Sequence, residues 1–299
     1  MLNKVAATAT ILLFSMLAHA WPTKPISILV PYAPGGINDQ IARHLAPDLS
    51  TSLGVPVTIV NAPGGNHVVA LNQALGNRDD HTFLMVDAAM ASGTWQKDKN
   101  LVNQFQVFAI LGTTPLMLSS SNKISLEQFR SALQNRDQLP VASGGADTPH
   151  MMWLTSLQSP VSYTAVYYRG AGPAMSDLVA GHVPYGIASM NLTEQFTRQG
   201  QINPIMISTT QRHPNWPNVP TYLELGFRGP PGFMWYGMAV LRNMSAERVN
   251  KFAQAVATSI RTNSNLKQME ASGLTFAPRL GQDAQNYFVK DANRYSTKQ

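Results

Sequence analysis

Two pairs of adjacent glycines, Gly35-Gly36 and Gly144-Gly145, each stand between an apolar strand-like run and the start of a helix. Bare backbone at such a junction turns N–H groups and the positive end of a helix dipole toward an anion. The first loop, Pro31-Tyr32-Ala33-Pro34-Gly35-Gly36, contains no lysine, arginine or metal-ligand residue, so its grip comes from the main chain. That suits a carboxylate. Asn38 or Asp39 then opens a helix whose apolar positions include Ile41, Leu45, Leu49 and Leu53. The second loop repeats the plan, with the strand PVAS reaching Ser143, the glycines, and a helix after Pro149. Two facing loops of this kind can clasp both ends of a dicarboxylate, and a ligand with one acidic group needs only one of them.

Other residues with chemical potential have simpler readings beside the functional ones. Adjacent glycines most often make a tight turn. Arg169, the cation nearest a predicted strand end, either forks onto a carboxylate or sits at the rim, and exposed arginines are the rule. His150 serves a helix start or contacts a ligand. Asp177 faces solvent or caps its own helix. Met151, Met152, Met190, Met234 and Met238 read as core filling, and Tyr32, Tyr167, Tyr168, Trp153 and Trp235 read singly as packing rather than as an aromatic wall.

Enzyme signatures are missing: no G-x-S-x-G elbow, Walker loop, G-x-G-x-x-G or pair of histidines at i, i+4 occurs. The expectation is therefore no catalytic residue, no metal site and no cofactor. The histidines are scattered singly, and a chain with 0 cysteines has no thiolate for structural zinc, no disulfide and no lipid attachment site.

These loops are set in alternating strands and helices. ISILV (26–30), a helix to residue 53, PVTIVN (56–61), a helix near 68–75 and TFLMVD (82–87) form the first βα set. Two further apolar runs, VFAIL and LMLSS, follow without a helix between them. A second set begins at Ser125, where Gln128 completes a capping box. It runs through strand 140–145, helix 149–157, strand 163–168, helix 173–180 stopped by Gly181, strand 185–190, helix 191–198 and strand 202–209. A proline-rich connection, HPNWPNVP, leads to a strand at 234–241, a long helix opened by Ser245 and a short one near 282–294. Such alternation predicts two α/β lobes with a chain that crosses between them twice, and ligands bound at the carboxyl ends of strands. The expected division is 21–122 with 222–299 in one lobe and 123–221 in the other.

The chain has 299 residues and a net charge of +6. Its basic residues form no run and no aromatic-interleaved stripe, so nucleic acid is not an expected partner. Lys4, the apolar stretch Val5 to Leu17 and Ala18-His19-Ala20 form an export signal, expected to be cleaved after Ala20. The stretch is too short to span a bilayer.

Several ordered motifs resemble the Bug family, the periplasmic substrate-binding proteins of tripartite tricarboxylate transporters. They are WPTKPISILVPYAPGG at 21–36, VTIVNAPGGN at 57–66, VASGGADTPHM at 141–151, YYRGAGPAMSDLVAGHV at 167–183 and PNVPTYLELGF at 217–227. The resemblance implies a two-lobed periplasmic-binding-protein fold of type II, a Venus flytrap, acting in the periplasm as a monomer. It would hold a small organic acid and pass it to the membrane permease subunits of a transporter. By the same resemblance the cleft is lined in the first lobe by Tyr32, Ala33, Gly35, Gly36, Ile37, Asn38, Asp39, Gly64, Gly65, Asp87 and Ala88. The second lobe contributes Ser143, Gly144, Gly145, His150, Ala188 and Ser189, with Arg169 as the added cation. The chain departs from the family pattern at Ile37 and Asn38, which stand where a glycine and a threonine are usual, at Ala62 in place of an arginine, and at Pro184 in place of an acidic residue. Ile37, being β-branched, is expected to reshape the loop or narrow its pocket. Docking on a membrane sensor kinase requires the same cleft and stays open as an alternative, and a periplasmic hydrolase would need a serine set assembled only in space.

Overall fold

The computed structural model describes residues 21–296 other than Asn66 and Arg78, and the expected export signal lies outside the described residues. The first βα set is present as read: β1 (Ile26–Val30), α1 (Ile37–Leu53), β2 (Val57–Asn61), α2 (Val68–Asn77) and β3 (Thr82–Asp87). Ile41, Leu45, Leu49 and Leu53 are all buried, so the apolar stripe of α1 faces the core as its spacing requires. The helix opens earlier than Asn38: Gly36 is an extended N-cap and Ile37 is the first helical residue. A π-helical turn (Met90–Thr94) and two short helices, α3 (Trp95–Lys97) and α4 (Lys99–Val102), fill a stretch in which the sequence shows no periodicity.

The two apolar runs expected next are one strand, β4 (Phe105–Ser121). Gly112 and Pro115 read as punctuation, yet the strand passes through both. Main-chain bonds between Thr113 and Thr275 (2.9 and 2.8 Å) bring the chain so near that a Cβ at Gly112 would lie 2.7 Å from the Thr275 carbonyl oxygen. Here glycine permits a close approach and ends nothing.

The second set is α5 (Leu126–Asn135), β5 (Gln138–Ser143), α6 (Pro149–Ser156), β6 (Ser162–Tyr167), α7 (Ala171–Ala180), β7 (Tyr185–Ser189), α8 (Met190–Arg198) and β8 (Ile202–Ile207). The capping box forms as expected, with Ser125 N–H donating to Gln128 Oε1 at 2.7 Å and Gln128 N–H to Ser125 Oγ at 3.3 Å. Gly181 closes α7 at φ +74°. The chain returns through β9 (Phe233–Leu241), α9 (Ala246–Thr262), α10 (Ser264–Glu270), β10 (Arg279–Leu280) and α11 (Gln282–Ser296).

Two lobes share β4. Its first part pairs with β9 as far as Pro115 and its last part with β7 and β8 from Leu116 and Met117 onward. The first lobe orders its strands β2-β1-β3-β9-β4, with β10 against β4, and the second β4-β7-β5-β6, with β8 against β4. Strands β1, β2 and β3 are parallel, as are β5, β6 and β7, which puts the carboxyl ends of β1, β3, β5 and β7 at the ends that carry ligand loops in such sheets. The second crossing is stitched to the first by Ser208, whose Oγ accepts from Leu116 N–H (2.7 Å) and donates to the Gly232 carbonyl (2.5 Å). In the core of the first lobe Phe83 stacks on Phe252 with ring centroids 3.7 Å apart.

Candidate ligand-binding site

The first glycine loop is shaped by a carboxylate of the protein itself. Asp39 Oδ2 accepts from Gly35 N–H (2.9 Å) and from Arg43 Nε (2.8 Å), while Asn61 Nδ2 donates to its Oδ1 (2.9 Å). The Arg43 hydrogen bond, helped by Gly35 and Asn61 and opposed by burial, holds the Asp39 carboxyl down to about 2. One loop N–H is thus already used internally. Gly35 takes φ +92°, a backbone that glycine adopts freely. Ile37 does not share it: it is the first helical residue, half-buried and packed on the core. What the loop leaves for a ligand is the N-terminus of α1, whose first N–H groups have no intrahelical partner and whose N-cap offers no side-chain oxygen.

Beside this terminus lies a second internal carboxylate. Asp87, the last residue of β3, is buried. Asn38 Nδ2 donates to its Oδ2 at 2.8 Å and Ala89 N–H to its Oδ1 at 2.9 Å. His67 Nε2 stands 3.4 Å from Oδ1, and the Tyr32 hydroxyl also hydrogen-bonds the carboxylate. Burial first, then Asp87, pushes the Tyr32 hydroxyl well above its ordinary value. Tyr236 faces Asp87 across the β3–β9 pairing, and burial with the same carboxylate raises its hydroxyl too. His150, from the second lobe, is within electrostatic reach of Asp87, but burial dominates and holds its imidazole down to about 4. Among the described residues, the buried Asn38 Oδ1 and His150 Nε2 have no hydrogen-bond partner.

The second glycine loop is built by contact. A Cβ on Gly144 would lie 2.6 Å from the Ala171 nitrogen and 2.8 Å from the Gly170 carbonyl carbon, while Gly170 N–H donates to the Gly144 carbonyl at 3.1 Å. The strand stops at Ser143 and does not run into the glycines. Thr148 caps α6, accepting from Met151 N–H and donating to the Gly145 carbonyl at 2.9 Å, with Ser143 Oγ 3.0 Å away. The α7 terminus at Gly170 and the α8 terminus at Ser189 have no side-chain cap. Ala188 and Ser189 end β7, both buried, and the Ser189 side chain hydrogen-bonds Tyr236.

These parts meet. Ser92 Oγ donates to the Asp147 carbonyl at 2.8 Å, and Lys97 pairs with the Asp147 carboxylate, joining the first lobe to the second lobe's loop. Gly64 and Gly65 are exposed, at φ +131° and +58°. Gly65 borders a pocket of about 420 Å³ with Val68, Thr94, Lys97 and Asp98. Ala33 is exposed, and so is Arg169, which joins no ion pair among the described residues. Another pocket, about 360 Å³, is lined by Leu116 and Phe233 near the crossing, Met152 and Trp153 of α6 and Tyr295 of α11, and includes none of the expected site residues. Sequence reasoning missed His67, Ser92, Lys97 and Tyr236. Tyr236 reaches the site only through its register with Asp87, and His67 signals itself only by φ +82°, neither of which a sequence displays.

The model of the tripartite tricarboxylate transporter family receptor matches residues 41–297, most of the chain. The chain belongs to that family. Protein BugT of Bordetella pertussis is similar to this receptor, 24% identical over 270 residues that cover 86% of this chain and 83% of BugT. Among solved structures, one described as an R. palustris protein with adipate superposes with a TM-score of 0.79 at 24% identity, covering 92% of this chain and 96% of the other. MatC from Rhodopseudomonas palustris with bound malate superposes at 0.75 and 23% identity, covering 92% and 99%. These likenesses show the two-lobed α/β binding-protein fold of the receptor. Among its described residues no helix is long and apolar enough to cross a membrane.

Proposed function

We propose that this receptor is a periplasmic solute-binding protein, exported by residues 1–20, that captures a small organic acid between its lobes and delivers it to the permease subunits of a tripartite transporter. The observation that carries this reading is the convergence, around buried Asp87, of the α1 terminus from one lobe and His150 and Ser189 from the other. A small solute held there touches both lobes at once. Binding therefore favours their apposition, and apposition is what a membrane partner can read. The malate and adipate in related structures are small organic acids of this size class.

The binding surface of this reading comprises Tyr32 and Gly35 to Asp39, Asp87 and Ala88, Ser143 to Gly145, His150, Ala188 and Ser189. Gly64, Gly65, Ala33 and Arg169 lie at its exposed margin. The lobes divide as 21–122 with 222–299 and 123–221, hinged where β4 exchanges partners near Pro115. The protein performs no chemistry on its ligand.

Thermal unfolding against organic acids, amino acids and neutral sugars tests this. A ligand present at 100 times its Kd adds about 2.7 kcal/mol to the folded state. A shift with acid-bearing compounds and none with sugars is the expected result, and silence across the whole set rejects the receptor reading.

A further inference from the structure

The first lobe's half of the cleft carries a surplus of acceptors. Asp87 occupies the side-chain donors that face the site: the Asn38 amide, the Tyr32 hydroxyl and His67 all turn to it. Because Asn38 Nδ2 is spent on Asp87, the amide's Oδ1 is left without that contact, and the oxygen is buried with no partner among the described residues. A buried carbonyl oxygen without a donor is costly, and a ligand that brings an N–H removes the cost. The side-chain cation one turn into α1, Arg43, is engaged by Asp39. A ligand carboxylate at the α1 terminus would lie beside two carboxylates of the protein, Asp39 and Asp87.

The second lobe is different. Its loop at Ser143 to Gly145 holds no acidic side chain, the α7 terminus at Gly170 lacks a cap, and Asp147 beyond it is paired with Lys97. A carboxylate is accommodated there and a donor in the first lobe.

We propose that Asp87 is a specificity-determining residue of this cleft, standing where a second ligand carboxylate would go. The ligand then has one carboxylate, directed to the second lobe, and an N–H-bearing end, ammonium or primary amide, directed to Asn38 Oδ1. This rests on the receptor reading above and refines it: the cleft selects amino or amido acids against dicarboxylates of the same length. Asp87 acts by occupying donors and by repelling a second anion.

The test is calorimetric titration of the purified receptor with compounds of matched length: glutarate, 4-aminobutyrate, its homologue 5-aminopentanoate, glutaramate, and butyrate as the acid without a donor end. The expected result is that an amino or amido acid binds at least tenfold more tightly than glutarate and than butyrate. The ammonium and amide arms show which N–H group is preferred. Asp87→Asn, nearly isosteric, is expected to raise glutarate affinity and shrink that ratio. Glutarate binding as tightly as the N–H compounds in the wild-type receptor, or butyrate matching them, overturns the proposal while leaving the receptor reading standing. An unchanged ratio in a folded Asp87→Asn protein overturns the role of Asp87. Because the wild-type ratio decides by itself, a misfolded variant does not rescue the idea, and absence of binding by every compound overturns the proposal, while the receptor reading is decided separately by thermal unfolding against the wider set.

Discussion

Ser92 Oγ donates a hydrogen bond to the main-chain carbonyl of Asp147 at 2.8 Å, so the π-helical turn after β3 is tied directly to the glycine loop after β5. Two segments 55 positions apart thereby join the lobes. Lys97 adds an ion pair to the same residue, but both of its members are largely solvated, with side-chain exposures of 67% and 45%.

Truncating these contacts separates their weights. Ser92→Ala is expected to lower unfolding free energy by about 0.5–1.5 kcal/mol, the usual net worth of one hydrogen bond. Lys97→Ala should remove less than about 1 kcal/mol, since exposed ion pairs are screened. Urea titrations of both single variants measure the difference, and a larger loss from Lys97→Ala would contradict the ordering.

The two glycine loops should respond oppositely to a methyl group. At Gly144 the added Cβ meets main-chain atoms at 2.6 and 2.8 Å, which cannot swing aside, so Gly144→Ala is expected to destabilise by about 1–3 kcal/mol. At Gly36 the nearest atom is 3.8 Å away and the backbone is extended at φ −71°, so Gly36→Ala should leave the unliganded protein within about 0.5 kcal/mol of wild type. Melting curves of the two variants decide. Gly36→Val is then a usable probe of the loop: it should abolish ligand-induced stabilisation without loss of fold, and an undiminished shift would remove the first loop from the site.

His150 makes stability depend on mild acid. Burial holds its imidazole down to about 4, below the usual 6.5 of an unfolded chain, so the unfolded state takes up the proton first. The neutral imidazole's contribution is intact above 6.5 and is lost as pH falls from there through about 4, a change on the order of 3 kcal/mol at roughly 1.4 kcal/mol per unit. His150→Gln should flatten the stability profile in that window. Asp39, held down to about 2 by Arg43, loses its contribution only at lower pH and does not obscure the effect.

The C-terminal helix is anchored by a buried pair. Trp235 Nε1 donates to Asp291 Oδ2 at 2.8 Å, and burial raises the Asp291 carboxyl above its ordinary range. Trp235→Phe keeps most of the ring but strands an acceptor, and should cost about 1–3 kcal/mol. Denaturant midpoints at constant slope check it, and a loss below about 0.5 kcal/mol would show that water replaces the indole.

Local order and fold class were legible in the amino-acid sequence because they rest on near-neighbour chemistry. The apolar spacing from Ile41 to Leu53 fixed the inward face of α1, the Ser125–Gln128 pair fixed the start of α5, and Gly181 fixed the end of α7. The motifs around Gly35 and Gly144 marked both glycine loops. What the tertiary structure decided depends on distant partners. Gly112 sits where Thr275 passes against the strand, and β4 runs unbroken through it and Pro115 between the lobes. Asp87 reads as the polar end of an apolar strand until Tyr32, Asn38 and His67 are found turned toward it and Tyr236 beside it. The sequence specifies which residues can face an anion, whereas long-range packing decides that one such anion is the protein's own carboxylate, because only the assembled fold brings the end of β3 and the α1 terminus within hydrogen-bonding distance.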